Sequence, residues 1–241
     1  MKSDNLRDLS NIAVIRYGGL GDTLTLIPAL NLIKQNYPQI RITVFINNKY
    51  SQLLRKFADS VENYEFAKFS ENALNSFDFI VCITATGNSG LRQFFNSFDA
   101  ANGFINRLNF IFIDECRISI YKFLINKFAE IFQFKTETTD SLAIDYFAES
   151  HKYAKYNNRI LLHPGSGGKR KNPTTAELSK ILQERALTPA NTDILIGDAE
   201  RDNPELLELF DGYDCISDIT DYIELAGIIK SHKYFIGCDS G

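Results

Sequence analysis

At 241 residues the chain is too long for a disulfide-stapled mini-domain and, at roughly 100 to 200 residues per domain, has room for one large domain or two small ones. Hydrophobic residues make up 44% and charged residues 23%, proportions that exclude a disordered chain and a collagen-like repeat. The balance of 26 Lys and Arg against 30 Asp and Glu gives a net charge of −4, so no domain-wide positive field exists to gather nucleic acid, and any anion site must be local.

In chain order, Ile12-Ala13-Val14-Ile15 predicts a first buried strand, and Gly18 to Gly21 a loop after it. Leu26, Leu30 and Ile33 then mark a helix that ends before Pro38. Arg41 to Ile46 predicts a second strand, Tyr50 to Ala58 a helix, and Phe79 to Ile83 a later strand opening into a small-residue loop over Thr84 to Gly90. The Phe- and Ile-rich stretch from Phe104 to Phe134 carries Ile120, Leu124, Phe128 and Ile131 at helical spacing. That apolar face suits either a core-facing helix or a surface leaning on a membrane or lipid-linked substrate.

Polar residues from His151 to Asn158 interrupt the pattern, so the expected domains are 1–155 and 156–241. A second α/β series starts at Arg159 to Leu162 and predicts further strands at Asp193 to Ile196, Tyr213 to Ile216 and Tyr234 to Ile236. Helices fall between them at about Thr174 to Leu187, Pro204 to Phe210 and Tyr222 to Lys230, the first opened by a Thr174/Glu177 capping box. Strands alternating with helices predict parallel sheets. Gly241 follows directly on a strand, so the second series is expected to be incomplete, with a free strand edge.

Cys82, Cys116, Cys215 and Cys238 are widely spaced, with no Cys-x-x-Cys pair, and read as free thiols of a reducing compartment. The polar N-terminus lacks a secretory apolar stretch, and no window approaches the roughly 18 apolar residues of a membrane span. The expectation is a cytoplasmic protein, free or peripheral at the inner membrane.

Two loops carry the chemistry. Tyr17-Gly18-Gly19-Leu20-Gly21-Asp22-Thr23 lies where a strand meets a helix, the usual ligand edge of doubly wound folds. It fails as a dinucleotide fingerprint because Leu24 stands where the third glycine belongs, and Asp22 is either a carboxylate for the crevice or an N-cap. His163-Pro164-Gly165-Ser166-Gly167-Gly168-Lys169-Arg170-Lys171 combines a glycine loop, a helix start and three consecutive cations, which suits a diphosphate or, more plainly, a solvated basic turn. It is not a Walker loop, since Arg170 follows Gly168-Lys169, and His163 by itself fits a structural residue at a strand end better than a catalyst. Glu200, in Gly197-Asp198-Ala199-Glu200-Arg201, is placed to accept hydrogen bonds from ribose hydroxyls, and Asp239-Ser240-Gly241 follows the last strand in the same manner.

These residues resemble glycosyltransferase family 9, the heptosyltransferase-like enzymes of lipopolysaccharide assembly. Ile15-Arg16, Gly19-Leu20-Gly21-Asp22, Pro28-Ala29-Leu30 and Tyr37-Pro38 look like that family's opening, His163 to Gly167 with the basic run like the start of its second domain, and Gly237-Cys238-Asp239-Ser240-Gly241 like its late loop. The resemblance implies a GT-B architecture of two Rossmann-like domains, with Gly18, Gly19 and Gly21 on the acceptor side and the donor on the other. It implies inverting transfer with no metal and no cofactor, from ADP-heptose or a related nucleotide-sugar to a lipid-linked glycan. Asp22 matches the general base, Ser166, Gly167, Lys169, Arg170 and Lys171 the diphosphate loop, Glu200 the nucleoside carboxylate, and Asp239, Ser240 and Gly241 the phosphate and sugar loop. Where the family commonly has Lys-x-Trp-Pro this chain reads Arg170-Lys171-Asn172-Pro173, and it contains no tryptophan. A truncated remnant that keeps a binding surface, and a nucleotide-sugar epimerase, are the competing expectations.

Overall fold

Strands buried on both faces read as unbroken apolar runs, and two of them form the centre of the first sheet. Asn11–Arg16 (β1) and Phe79–Thr84 (β4) lie side by side and parallel, and every residue of β4 is buried. The computed structural model describes residues 9–63, 74–85, 107–135, 155–165 and 172–238. The chain divides into two compact units, Met1–Ala143 and Ile144–Gly241.

In the first unit Arg41–Ile46 (β2) and Ser60–Asn63 (β3) extend the sheet on one side of β1, and Leu108–Phe112 (β5) extends it beyond β4. Among the described residues the result is a five-stranded, all-parallel sheet of order β3-β2-β1-β4-β5. The crossover from β1 to β2 runs through Leu20–Leu24 (α1) and Ile27–Asn36 (α2), where Pro28 is tolerated in the first turn and Leu30 and Ile33 are fully buried. Helix Ile120–Phe132 (α3) turns large side chains to the core at four-residue intervals: Leu124, Phe128 and Phe132 are fully buried, and the Phe132 ring meets Phe79 edge-on at 5.7 Å. The Tyr37 hydroxyl donates to the Phe132 carbonyl at 2.6 Å. The apolar face of α3 is therefore core, apart from Ile120 at its first position, which is exposed like Ile118 just before the helix.

Three local expectations change. The helix expected over Tyr50 to Ala58 is a 3₁₀ helix, Asn48–Leu54, because the Asn47 side chain accepts from the Lys49 N–H and starts a tighter turn. Strand β3 is an addition, since an edge strand reading Ser-Val-Glu-Asn lacks an apolar run. Strand β5 is hidden in the Phe- and Ile-rich stretch, whose apolar density fits either period.

The second unit repeats the plan. Ile160–His163 (β6), Thr192–Leu195 (β7), Asp214–Ile216 (β8) and Tyr234–Gly237 (β9) form a four-stranded parallel sheet of order β8-β7-β6-β9. Helices Thr175–Glu184 (α4), Asp198–Arg201 (α5), Pro204–Leu209 (α6) and Tyr222–Ser231 (α7) connect them, and the Thr174/Glu177 capping box forms as read from the sequence. Adjacent β6 residues point to opposite faces: Leu162 packs with Leu178, Leu182, Leu206 and Phe210, whereas Leu161 packs with Leu195, Ile228 and Tyr156. At the amino end of this sheet the fully buried Asp193 carboxylate accepts from Arg159 Nε at 2.7 Å and Nη2 at 2.8 Å, with His232 Nε2 at 3.1 Å. A buried carboxylate is tolerable only with partners of this kind. Among the described residues strand β9 is an outer strand, with Tyr234 and Phe235 exposed.

Among the described residues no helix is long and apolar enough to cross a membrane.

One carboxylate ties the start of β1 to the residue before β4. Asp78 Oδ2 accepts from the Ser10 N–H and Ser10 hydroxyl, each at 2.8 Å, and from the Asn11 N–H at 2.9 Å. Burial favours its neutral form, but these hydrogen bonds and the charge of Arg107 outweigh it and hold the carboxyl below its usual value. A depressed folded value contributes stability above the unfolded value, and that contribution is lost as pH falls through the folded one. The stability gap between wild type and Asp78→Ala, measured by denaturant melts across pH, is expected to be widest near neutrality and to shrink below about pH 4.

Candidate functional site

In open parallel sheets ligands gather beyond the strands' carboxyl ends, where the strand order reverses. In the first sheet that point lies between β1 and β4, and in the second between β6 and β9. The glycine loops read from the sequence follow β1 and β6, the first strand of each sheet.

After β1 the chain passes through Tyr17 and Gly18, and Gly19 is the N-cap of α1 in extended backbone. Asp22 is thus the third residue of the helix and not its N-cap. Its carboxylate turns back: Oδ2 accepts from the Gly19 N–H at 2.8 Å, satisfying one of the helix's open donors. Oδ1 pairs with Nη2 of Arg16, the last residue of β1. The Arg16 side chain is 1% exposed and that of Asp22 35%, so the cation is sealed in while the acid reaches the surface. Burial pulls the Arg16 guanidinium below its ordinary value, and the Asp22 charge works in the opposite direction. Gly18 is fixed by contact, since a Cβ there would collide with the Asp22 carboxylate and its Cβ. Gly21 has open space.

The second unit uses the same device. Gly197 follows β7 and is the N-cap of α5, and Glu200, third in that helix, accepts the Gly197 N–H at 3.0 Å through Oε2. A Cβ on Gly165 would overlap Glu200 Oε1, so the carboxylate fills the space that glycine leaves after β6. Glu200 is 4% exposed. His163, at the end of β6, sets Nδ1 2.9 Å from the Leu195 carbonyl, and a carbonyl only accepts, so Nδ1 carries the proton. At the end of β9 the Cys238 thiol lies 3.5 Å from the Pro164 carbonyl, and burial, with the charge of Glu200, raises it above its ordinary value. The loops after β6, β7 and β9 therefore converge on Glu200.

Of the residues singled out from the sequence, Gly18, Gly19, Gly21, Asp22 and Glu200 stand at strand carboxyl ends. Ser166, Gly167, Lys169, Arg170, Lys171, Asp239, Ser240 and Gly241 lie outside the described residues. Arg16 enters the sequence reading only as part of a motif. Its signal is a charge closing an otherwise apolar strand, Ile-Ala-Val-Ile-Arg.

No protein-family model matches the chain, and no curated protein matches it. Solved structures do match. The E. coli heptosyltransferase WaaC with ADP-2-deoxy-2-fluoro heptose superposes with a TM-score of 0.70 at 13% identity, over 95% of this chain and 82% of that one. A glycosyl transferase family 9 structure from Veillonella parvula DSM 2008 gives 0.65 at 13% identity, over 95% and 75%. A UDP-N-acetylglucosamine 2-epimerase gives 0.50 at 10% identity, over 95% and 73%. Likeness at such identities establishes the fold: an α/β protein of GT-B type, two Rossmann-like domains with parallel sheets.

The two glycines make opposite predictions. Gly18→Ala is expected to displace Asp22 and lower the melting temperature. Gly21→Ala, in open space within a helix, is expected to leave it unchanged or raise it, with a gain of up to about 1 kcal/mol in stability. Thermal melts of the two variants check this.

Proposed function

We propose that this chain is an inverting, metal-independent glycosyltransferase of the family 9 kind, moving heptose or a related sugar from an ADP-type donor to a lipopolysaccharide-type, lipid-linked acceptor. The observation that carries the reading is the pair of folded-back carboxylates, Asp22 after β1 and Glu200 after β7, each held at the carboxyl end of a parallel strand. Support comes from a fold shared with heptosyltransferases, one of them holding an ADP-sugar analogue.

In this reading residues 1–155 hold the acceptor and 156–241 the donor. The acceptor hydroxyl oxygen attacks the anomeric carbon from the side opposite the diphosphate. As the new C–O bond forms, the bond to the phosphate oxygen breaks and its electron pair leaves with the nucleoside diphosphate, which inverts the centre. Asp22 takes the hydroxyl proton, a contribution of roughly 10² to 10⁴ in rate. Gly18, Gly19 and Gly21 let the acceptor approach the backbone. Lys169, Arg170 and Lys171 neutralise the departing diphosphate, where negative charge grows, and Ser166 and Gly167 belong to the same donor-binding loop. Glu200 accepts hydrogen bonds from the ribose, and Asp239, Ser240 and Gly241 hold the phosphate and sugar. The protein works in the cytoplasm, against the inner membrane face where a lipid-linked acceptor is presented, with no nucleic-acid partner.

Asp22→Asn is expected to cut transfer from ADP-heptose to a heptose-deficient lipopolysaccharide by at least about 10²-fold, and undiminished turnover would remove the base assignment. In calorimetry with ADP, Glu200→Gln is expected to weaken binding by roughly 1 to 3 kcal/mol, as for a lost hydrogen bond to a charged group. The fold is shared with a 2-epimerase, so products are identified with and without acceptor. A sugar nucleotide altered without acceptor would favour epimerisation, and absence of ADP binding would favour a non-catalytic remnant.

A further inference from the structure

Arg16 heads the largest fully buried side chains, and the rest of β1 shows that its position does not call for a charge. Ile12, Ala13, Val14 and Ile15 precede it, and its neighbour across the sheet is Ile83. A sealed guanidinium is costly unless its donors are met. Nη2 donates to Asp22 Oδ1, yet Nε is buried with no acceptor among the described residues, so one donor is left unmet in order to keep this cation where it is. A packing role would be filled at lower cost by an apolar residue, and a helix-capping role for Asp22 needs only the Gly19 N–H, which already engages Oδ2.

We infer that Arg16 is a positioning residue for the proposed base: it grips Asp22 Oδ1 while the Gly19 N–H grips Oδ2, fixing the carboxylate's direction at the end of β1. The inference rests on the catalytic reading of Asp22 given above. When the acceptor's proton lands on Asp22, the buried cation loses its counter-charge. Passing that proton on to water restores the ion pair and returns the carboxylate for the next cycle. Unrestrained, a side chain as exposed as that of Asp22 would sample several rotamers.

The test uses the full chain with ADP-heptose and a heptose-deficient lipopolysaccharide. Arg16→Met is expected to lower kcat by about 10²-fold with the donor KM within about threefold, the pattern of a lost transition-state effect. Arg16→Lys, which keeps the charge, is expected to recover at least about tenfold of that loss. On the Asp22→Asn background, adding Arg16→Met should change the residual rate by less than about threefold, because a residue acting through Asp22 has nothing left to position. If Arg16→Met does not fold, Arg16→Leu, which likewise offers no donor to Oδ1, replaces it.

Full kcat in the neutral variant overturns the inference while leaving the base assignment intact. So does a loss equally large on the Asp22→Asn background, which marks a purely structural part, and so does failure of both neutral variants to fold. Full activity of Asp22→Asn, or no transfer by wild type, overturns the catalytic reading and this inference together.

Discussion

A carboxylate that folds back onto the N–H of its own helix's N-cap glycine is the interaction on which both halves of this protein turn. It appears at Asp22 against Gly19 and again at Glu200 against Gly197. The physics is shared: a helix start offers unpaired N–H donors and positive potential, and an acid at the third position is the nearest group able to use them. Doing so brings the acid over the strand end that precedes the helix, and in a parallel sheet that is the edge where ligands collect. The cost is steric. The space over which the carboxylate closes has to lack a Cβ, which is the reason for Gly18 beside Asp22 and Gly165 beside Glu200.

The two carboxylates then diverge through their surroundings. Asp22 is partly exposed and tied to a buried cation that comes from its own strand. Glu200 is nearly sealed, enclosed by residues that follow three strands of its sheet, with His163 and Cys238 nearby. An acid that must exchange a proton needs access, whereas one that recognises hydroxyls benefits from a dry, fixed setting where each hydrogen bond counts for more. In the proposed function one local motif thus serves two tasks, and the packing around each copy separates them.

Much of this is legible in the residues. Ile12 to Ile15 and Phe79 to Ile83 read as strands because a doubly covered strand admits no polar interruption, Arg41 to Ile46 because it is rich in β-branched and aromatic residues, and the Thr174/Glu177 box announces α4 because its two side chains close a local ring. The short edge strand β3 and the strand β5 are not legible. Ser-Val-Glu-Asn becomes a strand only because β2 offers it an open edge, and Leu108–Phe112 takes extended form beside β4, where Phe110 stacks on Phe112 at 5.8 Å.

Sequence by itself determined the class of fold, the glycine loops at the strand ends and the positions of the two acids, because these depend on periodicity and on residues adjacent in the chain. Only the tertiary structure decided that Asp22 sits third in its helix with Arg16 behind it, and that Glu200 closes over a glycine from a different strand. Those arrangements depend on which strands lie side by side and on which side chains are shut away from water. Neither is a property of spacing along the chain, since burial and strand order arise only when the whole sheet has formed.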